Sequence, residues 1–412
     1  LIADTAGTPV ARVESFLPGA TSTAAVTDLY TVDWAPVPSA VAADEPVRIA
    51  DLDALPSPVP SMVAVPALGG ETGVTAAVVH ARDLVRRWLD EPHCEQSILV
   101  LEVVKDDPVH AAVAGYIRSA STEHPGRFGI RHASGNDSPI PAGEPETRHG
   151  DNGVEAPRLR RVRAAAPVPR RWNPDRPVLI TDGTGALGSA VARHLVAVHG
   201  VKRLLLTGQS GPEASVLQRE LVEAGADVSI RACDVADFDA VAALLAEANP
   251  GAVVHIAGVL DDSSVEHMTP GHIVRVLGSK AEAASHLDAL TAGMDLDAFV
   301  MFSSIAGVIG SAGQANYAAA NSYLDALARD RRERGLPGSS IAWGLWGIGD
   351  GMGHLTDSDR DRLARNGMVA FDVDEGLAVF DAALDLDEPV VVAARLDFAA
   401  LRAADDLPPV YR

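Results

Sequence analysis

At 412 residues the chain is too long for one ordinary core, so two domains or subdomains are expected. Hydrophobic residues make up 47% and charged residues 22%, a globular balance that excludes a disordered or fibrous protein. The net charge of −22 argues against nucleic acid, whose phosphates demand a density of Lys and Arg that is absent here, and with no apolar run of about 18 residues a membrane span is excluded too.

Residues 1–27 are small, polar and aperiodic, and read as linker. A strand follows at Leu29-Tyr30-Thr31-Val32-Asp33-Trp34, then a helix over Thr72–Leu89, a buried strand over Ser97–Val104 and an amphipathic helix over Pro108–Ser119. The Gly-, Pro- and Asp-rich stretch Ser134–Pro157 reads as loop, and Ala164–Pro177, rich in Pro and Arg, as the boundary of a second unit. That unit opens on the apolar strand Pro177–Thr181, runs through a glycine-rich turn and enters a helix over Ser189–Val198. Further strands are expected at Arg203–Thr207, Asp227–Ala232, Ala252–His255, Ala298–Ser303 and Gly338–Trp343, each separated by a helical pattern. Strands alternating with helices predict a parallel, doubly wound α/β sheet. The first unit repeats the alternation without a glycine-rich turn. The expected architecture is therefore two Rossmann-like subdomains: a truncated structural one over 28–170 and a catalytic one over 171–412. Cys94 and Cys233 are the only cysteines. They stand at no metal-like spacing, and point to a reducing, cytoplasmic setting without disulfides or metal. The start at Leu1-Ile2-Ala3-Asp4 is no signal peptide, and with the abrupt end at Arg412 it suggests a piece of a longer protein.

Two runs carry the chemistry. Thr181-Asp182-Gly183-Thr184-Gly185-Ala186-Leu187-Gly188 sits between strand and helix, where Gly183, Gly185 and Gly188 allow a tight turn and bring a pyrophosphate to the helix N-terminus. The second is Phe302-Ser303-Ser304-Ile305-Ala306-Gly307, followed by Gly313-Gln314-Ala315-Asn316-Tyr317-Ala318-Ala319-Ala320-Asn321. It resembles the short-chain dehydrogenase/reductase superfamily and, within it, the ketoreductase domains of modular polyketide synthases. The resemblance makes Ser304 the substrate-binding serine and Tyr317, thirteen residues on, the catalytic tyrosine. Asn321 follows Tyr317 by four and shares its helical face. Lys280 matches the lysine that these domains carry in a relocated position. A buried ammonium near a phenol lowers the phenol's pKa, which would let Tyr317 exchange a proton near neutrality.

The resemblance extends over nearly the whole chain. The strand at Leu29–Trp34 resembles the opening of these domains, and Glu123-His124-Pro125-Gly126-Arg127-Phe128 a landmark of their structural subdomain. Leu260-Asp261-Asp262 resembles the fingerprint of members that guide substrate in from one side of the groove. Ile309 stands where the opposite stereochemical group has tryptophan. Trp343-Gly344-Leu345-Trp346 and the helical stretch Asp357–Asn366 resemble a mobile lid, at about 344–368.

Three positions depart from the family. Asp182 replaces a glycine of the turn. A carboxylate facing a pyrophosphate at about 4 Å costs roughly 4 kcal/mol at an effective dielectric near 20. Gln209, in Thr207-Gly208-Gln209-Ser210-Gly211, stands where reductase-competent relatives carry arginines for the 2′-phosphate of NADPH, each worth about 1.5–3 kcal/mol. Ile256 brings bulk to a place that is small in relatives. Asp234 and Val235, on the adenine side, are kept. The resemblance then implies a degenerate NADPH site, no bound cofactor, and an intact set Lys280, Ser304, Tyr317 and Asn321. This is the pattern of reductase-incompetent members proposed to epimerise the α-methyl carbon of a 2-methyl-3-oxoacyl thioester. The substrate would be carried on the phosphopantetheine of an acyl carrier protein, beside ketosynthase and acyltransferase domains of the same synthase. An active NADPH-dependent β-ketoacyl reductase and a non-catalytic structural domain are the alternatives.

Overall fold

The computed structural model describes residues 2–3, 9–11, 28–37, 45–133, 140–141, 143–151, 153–162, 172–208, 211–347, 367–403 and 407–412. In the first subdomain, strands β1 (Leu29–Pro36), β2 (Val47–Arg48) and β3 (Met62–Pro66) precede helix α1 (Val74–Asp90). Strand β4 (Ile98–Val104), helix α2 (Pro108–Glu123) and strands β5 (Phe128–Ala133), β6 (Glu146–Gly150) and β7 (Gly153–Arg161) complete it. The second subdomain begins with β8 (Val178–Thr181), α3 (Ala186–Ala197), β9 (Arg203–Thr207), α4 (Pro212–Glu223), β10 (Asp227–Arg231), α5 (Phe238–Ala248) and β11 (Ala252–His255). Helices α6 (Pro270–Leu277) and α7 (Ala283–Thr291) flank one π-helical turn, Gly278–Glu282. Strand β12 (Ala298–Ser304), the short α8 (Ala306–Ile309), α9 (Ala315–Glu333), β13 (Ser339–Trp343), α10 (Val373–Leu384) and β14 (Val390–Ala393) follow.

All fourteen strands join one sheet, in the order β10-β9-β8-β11-β12-β13-β14-β1-β7-β6-β5-β4-β3-β2. The seven strands of the second subdomain run parallel, in the doubly wound order with its crevice where the winding reverses, between β8 and β11. Strand β1 pairs antiparallel with β14 on one side and β7 on the other, so the first strand of the first subdomain closes the sheet of the second. The expected two-subdomain α/β architecture holds. Of the linker assigned to 1–27, a short antiparallel pairing of Ile2–Ala3 with Pro9–Ala11 is described. The boundary at 164–171 and the helix at 357–366 lie outside the described residues.

One segment departs from expectation. Ser134–Pro157 contains strand β6 and the first half of β7 rather than loop alone. Alternating apolar residues do not mark these strands, because their inward side chains are acids and arginines paired with one another. Glu146 takes a bidentate bond from Arg118 (2.6 and 2.7 Å), Glu155 pairs with Arg148, and Glu144 with Arg158. Burial pushes the Glu146 carboxyl up, but the Arg118 guanidinium and His132 outweigh it and hold the group well below the usual carboxylate range.

The two subdomains meet along α2 and α9. Gly115 of α2 lies so close to α9 that a Cβ there would stand 2.6 Å from the Ala318 carbonyl oxygen and collide with the Ser322 hydroxyl. Three residues on, Arg118 reaches past Glu146 to donate to the Gly307 carbonyl (2.7 Å) and to Ser322 Oγ (3.2 Å). Gly115→Ala should therefore destabilise the chain by about 1–3 kcal/mol through overpacking. Urea denaturation should show this as a lowered midpoint, and an unchanged midpoint would mean that the helices separate freely.

Candidate active site

The parallel strands deliver their C-terminal ends to a cleft of about 270 Å³ lined by Asp182, Ile256, Leu260, Lys280, Ser304, Ile309, Gln314, Tyr317 and Trp346, among others. Ser304 ends β12, and its Oγ accepts the Ala306 backbone N–H (3.2 Å). Tyr317 lies in the first turn of α9, half-buried. One turn later Asn321 is fully buried, and its amide donates to the Tyr317 carbonyl (2.8 Å). Its Oδ1 has no partner among the described residues. The expected set Lys280, Ser304, Tyr317 and Asn321 is brought together.

Lys280 sits in the π-helical turn between α6 and α7, a distortion that recurs at functional sites, with only 4% of its surface exposed. Its Nζ lies 5.9 Å from the centroid of the Tyr317 ring. Gly258 leaves it room, since a Cβ there would stand 3.2 Å from Nζ. Burial lowers the Lys280 pKa to about 8, against the pull of Asp325 and Asp182.

A buried chain of hydrogen bonds fixes this turn to the sheet. Thr181 Oγ1 accepts the backbone N–H groups of Ile256 (3.0 Å) and Ala257 (3.1 Å), so its own proton goes to His255 Nδ1 at 2.9 Å. That leaves the proton of neutral His255 on Nε2, which donates to the Lys280 carbonyl at 3.0 Å. Burial drives the His255 pKa down to about 3, so the ring holds this tautomer across the working pH range. Sequence patterning reads His255 only as the polar end of an apolar strand.

The expected depression of the Tyr317 phenol is corrected. Burial raises its pKa, the side chains of Ser304 and Asn321 ease it down, and the Asp262 carboxylate raises it further. With its pKa held above the ordinary phenol value by burial, Tyr317 is a neutral phenol near neutrality, a hydrogen-bond donor.

The loop before α9 is held from three directions. Glu123, at the end of α2, accepts the Gly313 N–H through Oε1 and the Val265 N–H through Oε2, both at 2.9 Å. Asn316 is fully buried and donates to the carbonyls of Asp261 (2.8 Å) and His272 (3.2 Å). Asp262 accepts from Gln314 Nε2 (2.9 Å), and Asp261 faces Arg275 (3.2 Å). Of the expected groove residues, Leu260, Ile309 and Trp346 line the cleft, whereas Asp261 and Asp262 brace its wall. Sequence reasoning missed the roles of Glu123 and Asn316 because each acts through backbone groups brought close only by the fold.

The described start of the segment read as a lid is hydrogen-bonded to its neighbours. Gly344 donates to Ala393 (2.7 Å), Phe371 to Leu345 (2.9 Å) and Gly347 to Phe371 (2.7 Å). Trp346 is 7% exposed, packs 4.8 Å from Trp343, and lies against Gly376 too closely for a Cβ there. Residues 348–366 of the expected lid lie outside the described residues.

At the glycine turn, Asp182 has a left-handed backbone, the region that favours glycine, with φ +53°. Gly188 packs under the turn, where a Cβ would meet Gly183 Cα at 2.7 Å. Gly183 is buried against Leu206 and donates to the Thr207 carbonyl (2.7 Å). The Asp182 carboxylate curls over the N-terminus of α3, so that a Cβ on Gly185 would lie 2.7 Å from Oδ2. The wall around it raises its pKa, with Lys280 pulling the other way. An anionic side chain thus stands at the helix end where a dinucleotide's pyrophosphate docks. Ile256 is buried on the cleft wall. Asp234 caps the turn before α5 through Ala236 N–H (3.0 Å), and Val235 packs on the core. Gln209 lies outside the described residues.

Only three lysines occur in the chain, Lys105, Lys202 and Lys280. NMR of protein labelled at lysine ¹³Cε should show one signal titrating near pH 8 that vanishes in Lys280→Met. Its absence would mean that Lys280 is solvated.

The comparisons agree with this geometry. Residues 177–347 match the family model "KR domain", and residues 32–159 match "Polyketide synthase extender module SpnB, Rossmann fold domain". The chain is 39% identical over 439 residues to polyketide synthase GfsE of Streptomyces halstedii, covering 100% of this chain and 11% of that protein. It is 52% identical over 246 residues to pikromycin polyketide synthase component PikAII of Streptomyces venezuelae, covering 57% of this chain and 7% of the relative. It thus spans about a tenth of the length of these relatives. A solved "A1-type ketoreductase" superimposes with a TM-score of 0.79 at 30% identity, covering 94% of this chain and 98% of that one. The chain belongs to the ketoreductase domains of modular polyketide synthases.

Proposed function

We propose that this domain does not reduce its substrate, and that it epimerises the α-methyl carbon of a carrier-bound 2-methyl-3-oxoacyl thioester. The observation that carries this reading is the position of Asp182. Its carboxylate lines the same cleft as Ser304, Tyr317 and Lys280 and stands over the N-terminus of α3. This arrangement does not fit a pyrophosphate, and no step here is routed through NADPH. The Gln209 and Ile256 departures support the same conclusion from the sequence.

The retained residues suffice for enolate chemistry. Ser304 and neutral Tyr317 donate hydrogen bonds to the β-keto oxygen, which takes on negative charge as the α-proton leaves. Lys280 and the Asn321–Tyr317 bond hold the phenol's helix and ring in place. The α-proton passes to a water in the cleft acting as base, and the enolate takes a proton back from water on the opposite face, which inverts the carbon without consuming hydride. The substrate arrives on the phosphopantetheine of an acyl carrier protein, with ketosynthase and acyltransferase domains as neighbours.

The test is loss of α-deuterium from a carrier-bound 2-methyl-3-oxo thioester without added nucleotide. Tyr317→Phe should slow washout by about 10²–10³, and Ser304→Ala should act in the same direction, less than additively if both serve one oxygen. Equal rates for parent, variants and a protein-free blank would leave a structural domain. On the nucleotide side, the parent should show no saturable NADPH binding. Asp182→Asn removes the charge while tolerating the left-handed backbone, and should recover part of it. Asp182→Gly with Gln209→Arg should recover more. Binding by the parent as tight as by the double variant would return the domain to the reductases.

A further inference from the structure

The C-terminal end of α3 carries a cluster that the cleft does not use. His194, in the last turn of α3, and His199, in the loop that follows, both direct Nε2 at one carboxylate of α10, that of Asp381. His194 Nε2 lies 2.9 Å from both Asp381 oxygens, and His199 Nε2 lies 2.7 Å from Oδ1. All three ligand atoms lie within 4.8 Å of one another. The two imidazole rings pack edge to face with centroids 5.3 Å apart. Trp172 stands beside His199 at 6.2 Å and Phe380 beside His194 at 6.4 Å. The side chains are 10%, 24% and 19% exposed, enough for an ion to enter and little enough to hold the rings still.

We propose that His194, His199 and Asp381 form a binding site for a divalent first-row transition ion of the zinc class. Two imidazole nitrogens and one carboxylate oxygen are a donor set that zinc takes in four-coordinate geometry, with the fourth position left to water. Bonds of about 2.0–2.1 Å place tetrahedral ligand atoms roughly 3.3 Å apart. The histidine–aspartate distances need to open by about half an ångström, and the two nitrogens to close onto the same point. Side-chain torsions reach both. The ion sits beyond the carbonyl end of α3, where the helix dipole favours a cation. It joins α3, whose other end carries the glycine turn, to α10, which packs beneath Trp346. Its role is to staple these helices, and it stands apart from Tyr317 and its partners.

The test uses the whole 412-residue chain, stripped with EDTA and dialysed into a non-chelating buffer. Isothermal titration with Zn²⁺ should show one saturable site, and Co²⁺ should give a tetrahedral d–d spectrum. Zn²⁺ should raise the thermal midpoint, and EDTA should reverse the shift. Loss of an outer-shell partner alone costs about 10–100-fold in affinity, so His199→Ala and Asp381→Asn should each weaken binding by at least about tenfold. His199→Gln keeps a side-chain donor toward Asp381 and removes the ligand. It should match the metal-free parent in midpoint and lose the zinc-induced shift. No saturable binding and no cobalt spectrum in the parent, or equal binding by parent and His199→Gln, would overturn the site and leave a hydrogen-bonded brace.

Discussion

Helix α2 lies along α9 at a distance set by Gly115, and Arg118 threads the contact. The guanidinium satisfies Glu146 within its own subdomain while donating to Gly307 and Ser322 across the boundary. Because α9 carries Tyr317 and Asn321, a subdomain with no glycine-rich turn of its own sets the depth at which the phenol stands in the cleft. Glu123, one helical turn beyond Arg118's neighbours, extends the same control to the loop ahead of Tyr317 through two backbone N–H groups. Breaking one half of such a buried ion pair leaves an uncompensated charge and costs about 3–5 kcal/mol, which gives the contact one geometry.

On the opposite side of the cleft the constraint is electrostatic. Lys280 is stripped of water, pinned through its carbonyl to His255, and faces the carboxylates of Asp182 and Asp325. Its charge is thereby balanced from within the protein. The turn at Asp182 has a left-handed residue at φ +53° and glycines packed tightly beneath it, and Asp182 adds charge and bulk there. On the proposed reading, hydride chemistry would need the end of the cleft at Asp182, and enolate stabilisation would need only Ser304 and Tyr317.

The parallel sheet was legible in the sequence because its strands are short apolar runs bounded by turns, and Ser304, Tyr317, Asn321 and Lys280 were reached through the family resemblance that their motifs carry. Strands β6 and β7 were not. Their buried faces carry Glu146, Glu155 and Arg158, whose pairing depends on partners distant in sequence, so no apolar alternation announces them. The Tyr317 pKa was misjudged for a related reason. The resemblance brings Lys280 near the phenol, whereas the burial that raises the phenol's pKa comes from the packing of the whole fold. Likewise Trp343-Gly344-Leu345-Trp346 resembles the start of a lid, and within it Gly344 serves close packing against Ala394. Glycine signals permission, and the neighbours decide whether that permission is used for motion or for contact.

On the proposed reading, proton chemistry persists in this cleft where hydride chemistry has been lost. The most direct measurement follows both on one sample: α-deuterium loss by mass spectrometry and NADPH oxidation at 340 nm, with a carrier-bound 2-methyl-3-oxoacyl thioester and NADPH at a concentration that saturates a competent reductase. An epimerase of this kind gives catalysed washout at the same rate with and without NADPH, and no 3-hydroxyacyl product. Stoichiometric conversion of NADPH and thioester to the hydroxy product would contradict that reading.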